Sequence, residues 1–390
     1  GDITIQAPIY VNAASVTLRY GLGSVASGNS ATIAALSPIF FNASSSYTTR
    51  LGSDGADLGH TIITSVGAEG SSTGTDLQGI QGNSAGRYVL GFDIDASATS
   101  GWNAGAGFAP VGLFTGTLDG LGHTISGLTI NRPSTSYNGL FRFAEGAVIR
   151  NLGLLDVSVQ STGYAGALVG RATDVRLNRV WLEGGTMTCA LCGGLLGLSR
   201  GNNSIDNSHT SINLGGLNYG GGLVAFGSDG STLSIRNSYT TGNLSGVGAG
   251  IGGLVGRADA VHIRDSYTSG DVISTTAGGS AGGLVGEHEN LSLVRSYATG
   301  TVFATHAGGL AGLDTGAVVS DSFYASTDAG GAAINGSSNA VGVAKTHAEL
   351  QTLATIISAG WDIDDAGGTG KAWRIYEGQT TPLLRNLFTD

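Results

Sequence analysis

Few side chains in this sequence have the types and the spacing that catalysis requires. The clearest pair of carboxylates is Asp93 and Asp95, in the stretch LGFDIDAS. Alternation along a strand would place both on one side, where converging carboxylates can act as general acid and base in polysaccharide cleavage. This pair is the best catalytic candidate in the chain. We nevertheless expect no enzymatic activity and keep polysaccharide cleavage as an alternative.

The cysteines and histidines could in principle bind a metal. Cys189 and Cys192 stand in TCALC without a second cysteine pair, histidines at ligand spacing or a βαβ context, so zinc and thioredoxin-like sites are disfavoured. We expect a local disulfide between them, with two inert thiols as the alternative. In the EHE stretch, only Glu287 and Glu289 would share a side of a strand, and His288 would face away. We therefore expect no metal and no other cofactor.

The composition excludes several classes of protein. Glycine accounts for 68 of 390 residues, well above its usual share of roughly 7 % and without the three-residue period of collagen. The formal net charge of −10 argues against binding to nucleic acid or to an anionic membrane. No apolar run of 18 residues is present, so membrane insertion is not expected either. The opening Gly1-Asp2-Ile3, without a start methionine, suggests a segment of a longer, processed chain.

One phrase recurs along the middle of the chain. Its leucine returns at a nearly constant interval, at seven positions: Leu140, Leu168, Leu195, Leu223, Leu254, Leu284 and Leu310. Each unit contains GGLVG or a variant, a short apolar run ending in a phrase such as NSYTTG or DSYTSG, and a β-branched piece. Such a period indicates a solenoid or a propeller, and the absence of helical periodicity favours short strands. We predict an all-β fold, a right-handed parallel β-helix of about 28-residue coils. A propeller, whose blades usually need about 40 residues, is the alternative.

This fold makes specific residues neighbours. The motif leucines should form an internal ladder, so Leu254 and Leu284 should lie on adjacent rungs about 4.8 Å apart. The residue after the motif is Arg257 in one unit and Glu287 in the next. These two side chains should lie side by side on the outer face, where an exposed ion pair contributes roughly 0 to 1 kcal/mol.

The repeats divide the chain into three parts. Residues 1–133 are predicted to form N-terminal coils, with an irregular Ser/Gly-rich excursion at about 22–80. Residues 134–345 are predicted to form the repeat coils, and residues 346–390 a C-terminal helix and capping segment.

The C-terminal part contains the best helix signal. Thr346 and Glu349 have the spacing of a capping box, and Gly360 supplies a stop. The apolar positions between them follow at helical intervals: Leu350, Leu353 and Ile357. Because a β-helix end exposes unpaired strand edges, we expect residues 346–390 to pack against the last coils and partly plug that end.

Aromatic residues recur at one position of the repeat. Tyr239, Tyr267, Tyr297 and Phe323 should stack as a column, which we call the tyrosine column. Outside the coil it would form a platform for a glycan, and inside it would belong to the core. Counting from Ile235 in steps of two favours the inside, although a corner between them would reverse the parity.

Two further aromatic residues stand in predicted loops, where recognition residues concentrate. They are Trp102 in SGWNAGAGFAPVG and Tyr137 in STSYNG. Exposed, they would suit contacts with sugars or proteins; a buried Trp102 that fixes its loop is the alternative. The candidate ligand-binding residues are therefore these: Trp102, Tyr137, Tyr239, Tyr267 and Tyr297.

Several of these phrases resemble a known family. The units "GGLVG…SYTSGDV" resemble the GLUG repeat of bacterial surface exoproteins. The stretch "RYVLGFDIDASATSGWNAGAGFAPVGLFTGTLDGLGHTISGLTI" is similar to the passage before such repeats in two-partner-secretion, filamentous-haemagglutinin-like adhesins. "GDITIQAPI" and "AWRIYEGQTTPLLRNLF" are similar to other phrases of these proteins. The resemblance covers about 1–12 and 60–390, and LGFDIDAS also stands in non-enzymatic members. The H-E-x-x-H motif of surface proteases that carry the same repeats is missing.

The resemblance implies a function for the chain. It would be a non-enzymatic, monomeric segment of an adhesin at the bacterial cell surface or secreted. As a rigid rod it would present loops to glycan, biofilm matrix or a host or bacterial receptor, with a role in biofilm formation and virulence. An outer-membrane transporter of the two-partner type would export it. The first alternative is a haemophore-like module for a host haem-carrier protein, with its loops at 22–80. The second is a β-helical polysaccharide-degrading enzyme.

Overall fold

The computed structural model describes residues 1–41, 45–228, 230–313, 316–335, 341–367 and 370–385. Short parallel strands wind into a β-helix with the period predicted from the repeat, since each strand pairs with its equivalent in the next coil. Leu254 and Leu284 lie on adjacent rungs, and the Leu254 N–H donates to the Leu284 carbonyl at 2.9 Å. All seven motif leucines are fully buried in one continuous core.

Each coil presents three faces and a short piece after a corner. The longer strands of the large sheet that runs along the rod have these bounds: Leu58–Ile63, Arg87–Leu90, Val111–Phe114, Thr117–Asp119, Phe141–Glu145, Val148–Leu155, Val169–Thr173, Arg176–Glu183, Leu196–Arg200, Asn202–Asp206, Val224–Gly227, Thr232–Arg236, Val255–Arg264, Val285–Val294, Ala311–Leu313 and Val318–Ser320. The short strands after the corner are Ile94–Asp95, Thr124–Ser126, His209–Thr210, Tyr239–Thr240, Tyr267–Thr268, Tyr297–Ala298, Phe323–Ala325 and Val343–Lys345. The remaining face contains Thr129–Asn131, Ser158–Gln160, Tyr164–Gly166, Thr186–Thr188, Leu191–Gly193, Leu214–Gly221, Leu244–Gly252, Val272–Ser274, Ser280–Gly282, Val302–Phe303 and His306–Gly308.

The GGLVG phrase forms a tight bend, which we call the elbow. A Cβ on Gly286 would lie 2.5 Å from the Gly256 carbonyl oxygen and 2.5 Å from the Ile251 nitrogen. A Cβ on Gly252 would lie 2.0 Å from the Val255 carbonyl oxygen. The glycines therefore allow the outer surfaces of the two strands that flank the elbow to close on each other. This close approach explains why the phrase repeats.

The second recurring phrase forms a corner in which the backbone is left-handed. The corner residues have φ between 45° and 57°: Asn151, Arg179, Asn207, Asn237, Asp265, Arg295 and Asp321. Asn and Asp tolerate this conformation better than other non-glycine residues. The serine after the corner is buried and joins neighbouring coils, since the Ser238 N–H donates to Ser266 Oγ at 3.2 Å. The Asn-Ser or Asp-Ser pair of the repeat therefore specifies a left-handed corner, followed by a serine that hydrogen-bonds to its equivalent in the next coil.

The corner decides which way the tyrosine column faces. Ile235 lies in the main core, but the left-handed Asn237 reverses the alternation, so Tyr239 lies outside that core and Thr240 is the next inward residue. The column is therefore buried, as the favoured prediction had it, but it lies against the outside of the coils and not inside the main core. The rings stack along the outside of the coils, with centroids 4.8 Å apart between Tyr239 and Tyr267 and 5.0 Å apart between Tyr267 and Tyr297.

The C-terminal part covers this column. The helices are His347–Leu350 and Leu353–Ser358, followed by a small sheet of Ile363–Asp364, Trp373–Arg374 and Leu383–Leu384. The capping box of Thr346 and Glu349 forms as predicted, but the single predicted helix is broken at Gln351 and Thr352. Val341 packs in the main core, and a Cβ on Gly342 would meet the Leu310 side chain at 2.4 Å. Residues 341–345 therefore close the end of the core. The C-terminal segment, of which residues 347–367 and 370–385 are described, lies along its flank. The last part of the predicted capping segment, 386–390, lies outside the described residues.

The N-terminal residues form two further coils. Their strands pair in parallel one coil apart, Ile3–Ile5 with Ile33–Ala35, Ile9–Val11 with Ile39–Phe41, and Ser15–Tyr20 with Ser46–Leu51. Leu58–Ile63 then runs antiparallel to Ser46–Leu51 and joins the main rod beside Arg87–Leu90. The stretch 22–80, expected to be irregular, therefore contains strands up to Ile63. Although the stretch is rich in Ser and Gly, it contains the apolar segment IAALSPIFF, whose strands pair with those of the preceding coil.

The strands before residue 64 enclose a half-buried histidine, His60. Burial lowers its pKa to about 4, and the nearby charge of Asp119 only partly opposes this effect. The unfolded chain, with a histidine pKa near 6.5, takes up a proton first as the pH falls. The free energy of unfolding should therefore decrease between pH 6.5 and pH 4 through His60.

A His60→Gln variant tests this pH dependence, because glutamine can still bond to Thr49 Oγ1, which lies 2.9 Å from His60 Nε2. The expected result is a flatter dependence of the denaturant midpoint on pH between 6.5 and 4 than in the unmodified protein. Parallel curves for the two proteins over this interval would contradict the assignment.

Candidate functional site

The elbow creates a long groove on the outside of the rod. Side chains seven residues apart, one on each side of the elbow, approach across it: the rings of Tyr219 and Phe226 are 5.4 Å apart, and Ser280 Oγ donates to Glu287 Oε1 at 2.7 Å. Because the coils stack in register, these positions form two parallel columns. One end of the resulting groove is aromatic and basic. We call this part, lined by Tyr137, Phe143, Tyr164, Arg171, Tyr219, Phe226 and Arg257, the elbow groove.

The aromatic rings of the elbow groove form a continuous, half-buried surface. Tyr137 and Tyr164 stack with a centroid distance of 5.5 Å and an interplanar angle of 3°. Tyr137 also lies 5.7 Å from Phe143, and Tyr164 lies edge-on to Phe226 at 6.0 Å. The surface thus extends over several coils along the rod axis. Burial raises the pKa of the Tyr164 hydroxyl, which therefore remains a hydrogen-bond donor at neutral pH.

Arginines alternate with the rings. The guanidinium of Arg171 lies 4.3 Å from the centroid of the Phe143 ring, and that of Arg257 lies 5.3 Å from the Phe226 ring. Such cation–π contacts hold the side chains flat against the surface. Arg200 joins Arg257 and Phe226 around a shallow cavity of about 710 Å³. The groove therefore combines apolar faces with fixed cationic donors.

The predicted neighbours Arg257 and Glu287 are confirmed. They pair in register, and Arg257 Nε lies 3.9 Å from Glu287 Oε2. Arg257 Nη2 also lies 3.9 Å from Glu289 Oε1, so the two glutamates share a side as expected, whereas His288 is buried. These carboxylates mark the acidic limit of the elbow groove.

The five predicted ligand-binding residues separate into three groups. Tyr137 lies in the elbow groove. Trp102 packs against the core and lies nearly parallel to Phe108 at 6.4 Å, so its ring fixes the loop, which was the alternative considered for it. The three tyrosines of the column are buried under the C-terminal segment and are not accessible to a ligand: Tyr239, Tyr267 and Tyr297. The count in steps of two holds only without a corner, and the corner at Asn237 reverses it. No repeat pattern indicates the covering segment.

Sequence reasoning missed most of the elbow groove. The missed residues stand in the repeat itself, where the recurring glycines and leucines are the stronger signal: Tyr164, Arg171, Tyr219 and Phe226. Their spacing of seven across each GGLVG variant was the available signal. It becomes informative only when the elbow is known to bring these two positions together.

The other candidate chemical groups have structural partners. Asp93 accepts the Thr124 N–H at 2.8 Å, and Asp95 accepts the Ser97 N–H at 2.9 Å. Cys189 and Cys192 form a disulfide with their Cα atoms 5.5 Å apart. Across the described residues, His, Cys, Asp and Glu side chains form no group of three or more that could hold a metal ion. The described helices are all too short or too polar to cross a membrane.

Part of the chain is similar in sequence to a known protein. No family model matches the chain. A stretch of 162 residues, 38 % of the chain, is 40 % identical to halomucin of Haloquadratum walsbyi (strain DSM 16790 / HBSQ001). The match covers 2 % of the length of halomucin, so the chain spans only a small fraction of that relative.

Two solved structures are similar in shape. One is described as a candidate immunoglobulin A1 protease from Bacteroides ovatus, with a TM-score of 0.47 and 18 % identity over 77 % of this chain and 85 % of that one. The other is an IgA1 protease, with a TM-score of 0.48 and 18 % identity over 71 % of this chain and 23 % of that one. Similarity at this level says nothing about activity. What the chain itself shows is a β-helical rod with a stretch of sequence similar to halomucin.

Proposed function

We propose that this chain is a non-enzymatic, extracellular adhesin segment whose elbow groove binds an extended glycan. The single observation that carries the proposal is the continuous aromatic and arginine surface of the groove. It lies on a rigid rod, where side chains are held by the register of the coils. A module of this kind positions its ligand without any moving part. The similarity of part of the chain to halomucin supports an extracellular role.

The chemistry of the elbow groove favours a sugar chain. Aromatic faces such as those of Tyr219 and Phe226 can pack against the apolar C–H faces of sugar rings, and a tyrosine hydroxyl offers a polar tip. The groove runs along the rod axis, so a polymer can contact successive coils. A short peptide strand would instead need unpaired backbone groups, whereas the backbone of each flanking strand is paired with the coils above and below.

The arginines favour an acidic glycan. Arg171, Arg200 and Arg257 belong to a chain with only 18 lysines and arginines and a net charge of −10, so their grouping on one face is a local feature. A guanidinium can bind a carboxylate or a sulfate through two parallel hydrogen bonds. Uronic-acid or sulfated polysaccharides, in a biofilm matrix or on a host surface, are therefore the proposed ligands.

A double substitution, Tyr219→Ala with Phe226→Ala, tests the groove. Loss of two central aromatic contacts should weaken binding of an acidic polysaccharide by at least about 30-fold, since central anchor residues are typically worth about 2 kcal/mol or more. Binding is measured by a glycan array and then by calorimetry. Raising the salt concentration to about 1 M should weaken it as well, because exposed charges are then screened within about 3 Å.

The matched control is Tyr10→Ala, which removes a tyrosine that is 70 % exposed and distant in sequence from the elbow. It should bind like the unmodified protein. A reducing-sugar assay on the bound polysaccharide and a pull-down from host serum address the two alternatives. Unchanged affinity in the double variant, or absence of binding to every glycan, matrix and cell surface tried, would refute the adhesin proposal.

Export is a further part of the proposal. We infer an outer-membrane transporter of the two-partner type from the resemblance of the repeats to those exoproteins. Expression with and without such a transporter, followed by detection of the chain outside the cell, tests this step.

A further inference from the structure

A second cavity lies on a different surface, at the open end of the tyrosine column. Trp181, His209 and Tyr239 occupy the same position in three successive coils. The C-terminal segment covers the column only from Tyr239 onward. Beyond it, a cavity of about 220 Å³ opens beside Trp181 and His209. We call it the flank pocket; its main lining residues are Leu36, Arg179, Trp181, Glu183, Asn207 and His209.

The wall opposite Trp181 comes from the N-terminal coils and is firmly attached to the rod. The Ala35 N–H donates to Asn151 Oδ1 at 3.2 Å, and Asn151 Nδ2 donates to the Ile33 carbonyl at 3.3 Å. His123 Nε2 lies 2.9 Å from the Ile39 carbonyl oxygen. Leu36 is therefore held in place between these anchors. The flank pocket is a preformed feature of the packing of two parts of the chain.

The remaining walls are also rigid. The His209 ring stacks on Tyr239 with a centroid distance of 4.7 Å and an interplanar angle of 2°. His209 Nε2 lies 3.4 Å from Glu183 Oε1. The Trp181 ring lies over Gly153, where a Cβ would come within 2.4 Å of the indole. Gly153 thus gives the indole room to lie against the strand.

Arg179 stands at a costly position. It occupies the left-handed corner with φ of 57°, where its neighbours in the adjacent coils are Asn151 and Asn207. A long side chain in this conformation is uncommon; Arg295 shares it in a later coil, where it pairs with Asp265. Burial also lowers the pKa of Arg179, which means that the surroundings disfavour its charge. Arg179 also lines the flank pocket, where an anion can accept hydrogen bonds from a guanidinium.

From this geometry we propose that the flank pocket binds a single acidic sugar, such as a uronic acid or the acidic terminus of a glycan. The sugar ring packs on the face of Trp181, its carboxylate meets Arg179, and its hydroxyls reach Glu183 and Asn207. The volume of about 220 Å³ is below the roughly 300–1,000 Å³ of pockets for drug-sized ligands, so one ring is the appropriate size. The flank pocket is separate from the elbow groove. It would bind the terminal sugar of a glycan, whereas the groove would bind an extended stretch of the glycan.

The experiment uses the full chain with D-glucuronate as probe and D-glucose as the neutral comparison. Saturation-transfer NMR and calorimetry measure binding. Saturable binding of glucuronate is expected, with at least a tenfold preference over glucose. Trp181→Ala should abolish it, and Arg179→Gln should reduce the preference for glucuronate to about one.

Leu36→Trp keeps the proposal testable if the Trp181 variant folds poorly, because it fills the pocket from the opposite wall and leaves the coils unchanged. It should block glucuronate as well. The groove variant Tyr219→Ala with Phe226→Ala should bind glucuronate like the unmodified protein, which separates the two sites. The proposal is overturned if glucuronate shows no saturable binding, or if binding persists in both Trp181→Ala and Leu36→Trp.

Discussion

Replacing Gly286 with valine should prevent the rod from folding in the region of its elbow, with a loss of more than about 4 kcal/mol in the free energy of unfolding. The Cβ of any residue at this position would lie 2.5 Å from the Gly256 carbonyl oxygen, 2.5 Å from the Ile251 nitrogen and 2.8 Å from the Gly250 carbonyl carbon. All three atoms belong to backbone that is paired with neighbouring coils. None of them can give way as a flexible side chain would, so the elbow would have to open.

The measurement compares the soluble yield and the thermal or denaturant midpoint of Gly286→Val with those of Gly112→Val. Gly112 also stands in a strand and is exposed, but nothing lies within 4 Å of its added Cβ. Valine suits an exposed strand position, so the control should change stability by no more than about 0.5 kcal/mol. Equal stability of the two variants would show that the elbow is not closed as described.

Replacing Trp373 with alanine should detach the C-terminal segment from the rod. Trp373 is fully buried in the apolar cluster that the tyrosine column forms with the C-terminal segment, with its ring 6.1 Å from both Tyr267 and Tyr297 and 4.9 Å from Trp361. Its indole N–H also donates to Asp265 Oδ1 at 3.2 Å. Truncating a buried tryptophan typically costs about 3 to 5 kcal/mol. Because this shared cluster is separate from the main core, the loss should appear as local opening of the segment.

Hydrogen exchange and limited proteolysis are the suitable measurements for this variant. Residues 347–385 should lose protection, while the coils between residues 87 and 320 keep theirs, since local and global stability differ within a structure. The exposed tyrosine column should then bind a hydrophobic dye. The control is Tyr376→Ala, which removes an aromatic residue of the same segment that is 44 % exposed. Unchanged protection of the segment in Trp373→Ala would contradict the packing described for it.

The covering of the tyrosine column also changes its chemistry. Burial raises the pKa of Tyr239 to about 12, and it raises the pKa of Tyr267 and Tyr297 as well. The Tyr297 hydroxyl donates to the Pro382 carbonyl at 2.6 Å. The three tyrosine hydroxyls therefore stay protonated at neutral pH, and that of Tyr297 acts as a structural hydrogen-bond donor. The column is therefore not a platform for a glycan, which was its outward alternative, but the docking surface for the end of the same chain.

The elbow groove and the flank pocket illustrate different limits of sequence reasoning. Tyr164 and Arg171 are visible as residues of the repeat, yet their approach depends on how sharply the elbow closes. Trp181 and Leu36 are far apart in the chain, and no repeat connects them. In both cases the chemical character of the site comes from side chains that the pattern does not single out.

The sequence alone determined the coil. A nearly constant period makes each residue a neighbour of its equivalent one period later, so Leu254 with Leu284 and Arg257 with Glu287 follow from counting. The capping box at Thr346 is equally local and was also predictable. Such contacts are encoded by spacing because in-register stacking relates every coil to the next by the same step.

Only the tertiary structure decided which outer surfaces are covered. Tyr297 meets Pro382 and Trp373 meets Asp265 across 85 and 108 residues of chain, and Leu36 faces Trp181 from the first coils. These contacts join non-repetitive ends to a repetitive shaft, so they follow from the shapes of the packed surfaces and not from any period. For this physical reason the rod could be derived from the sequence, whereas the exposed groove, the buried column and the flank pocket could not.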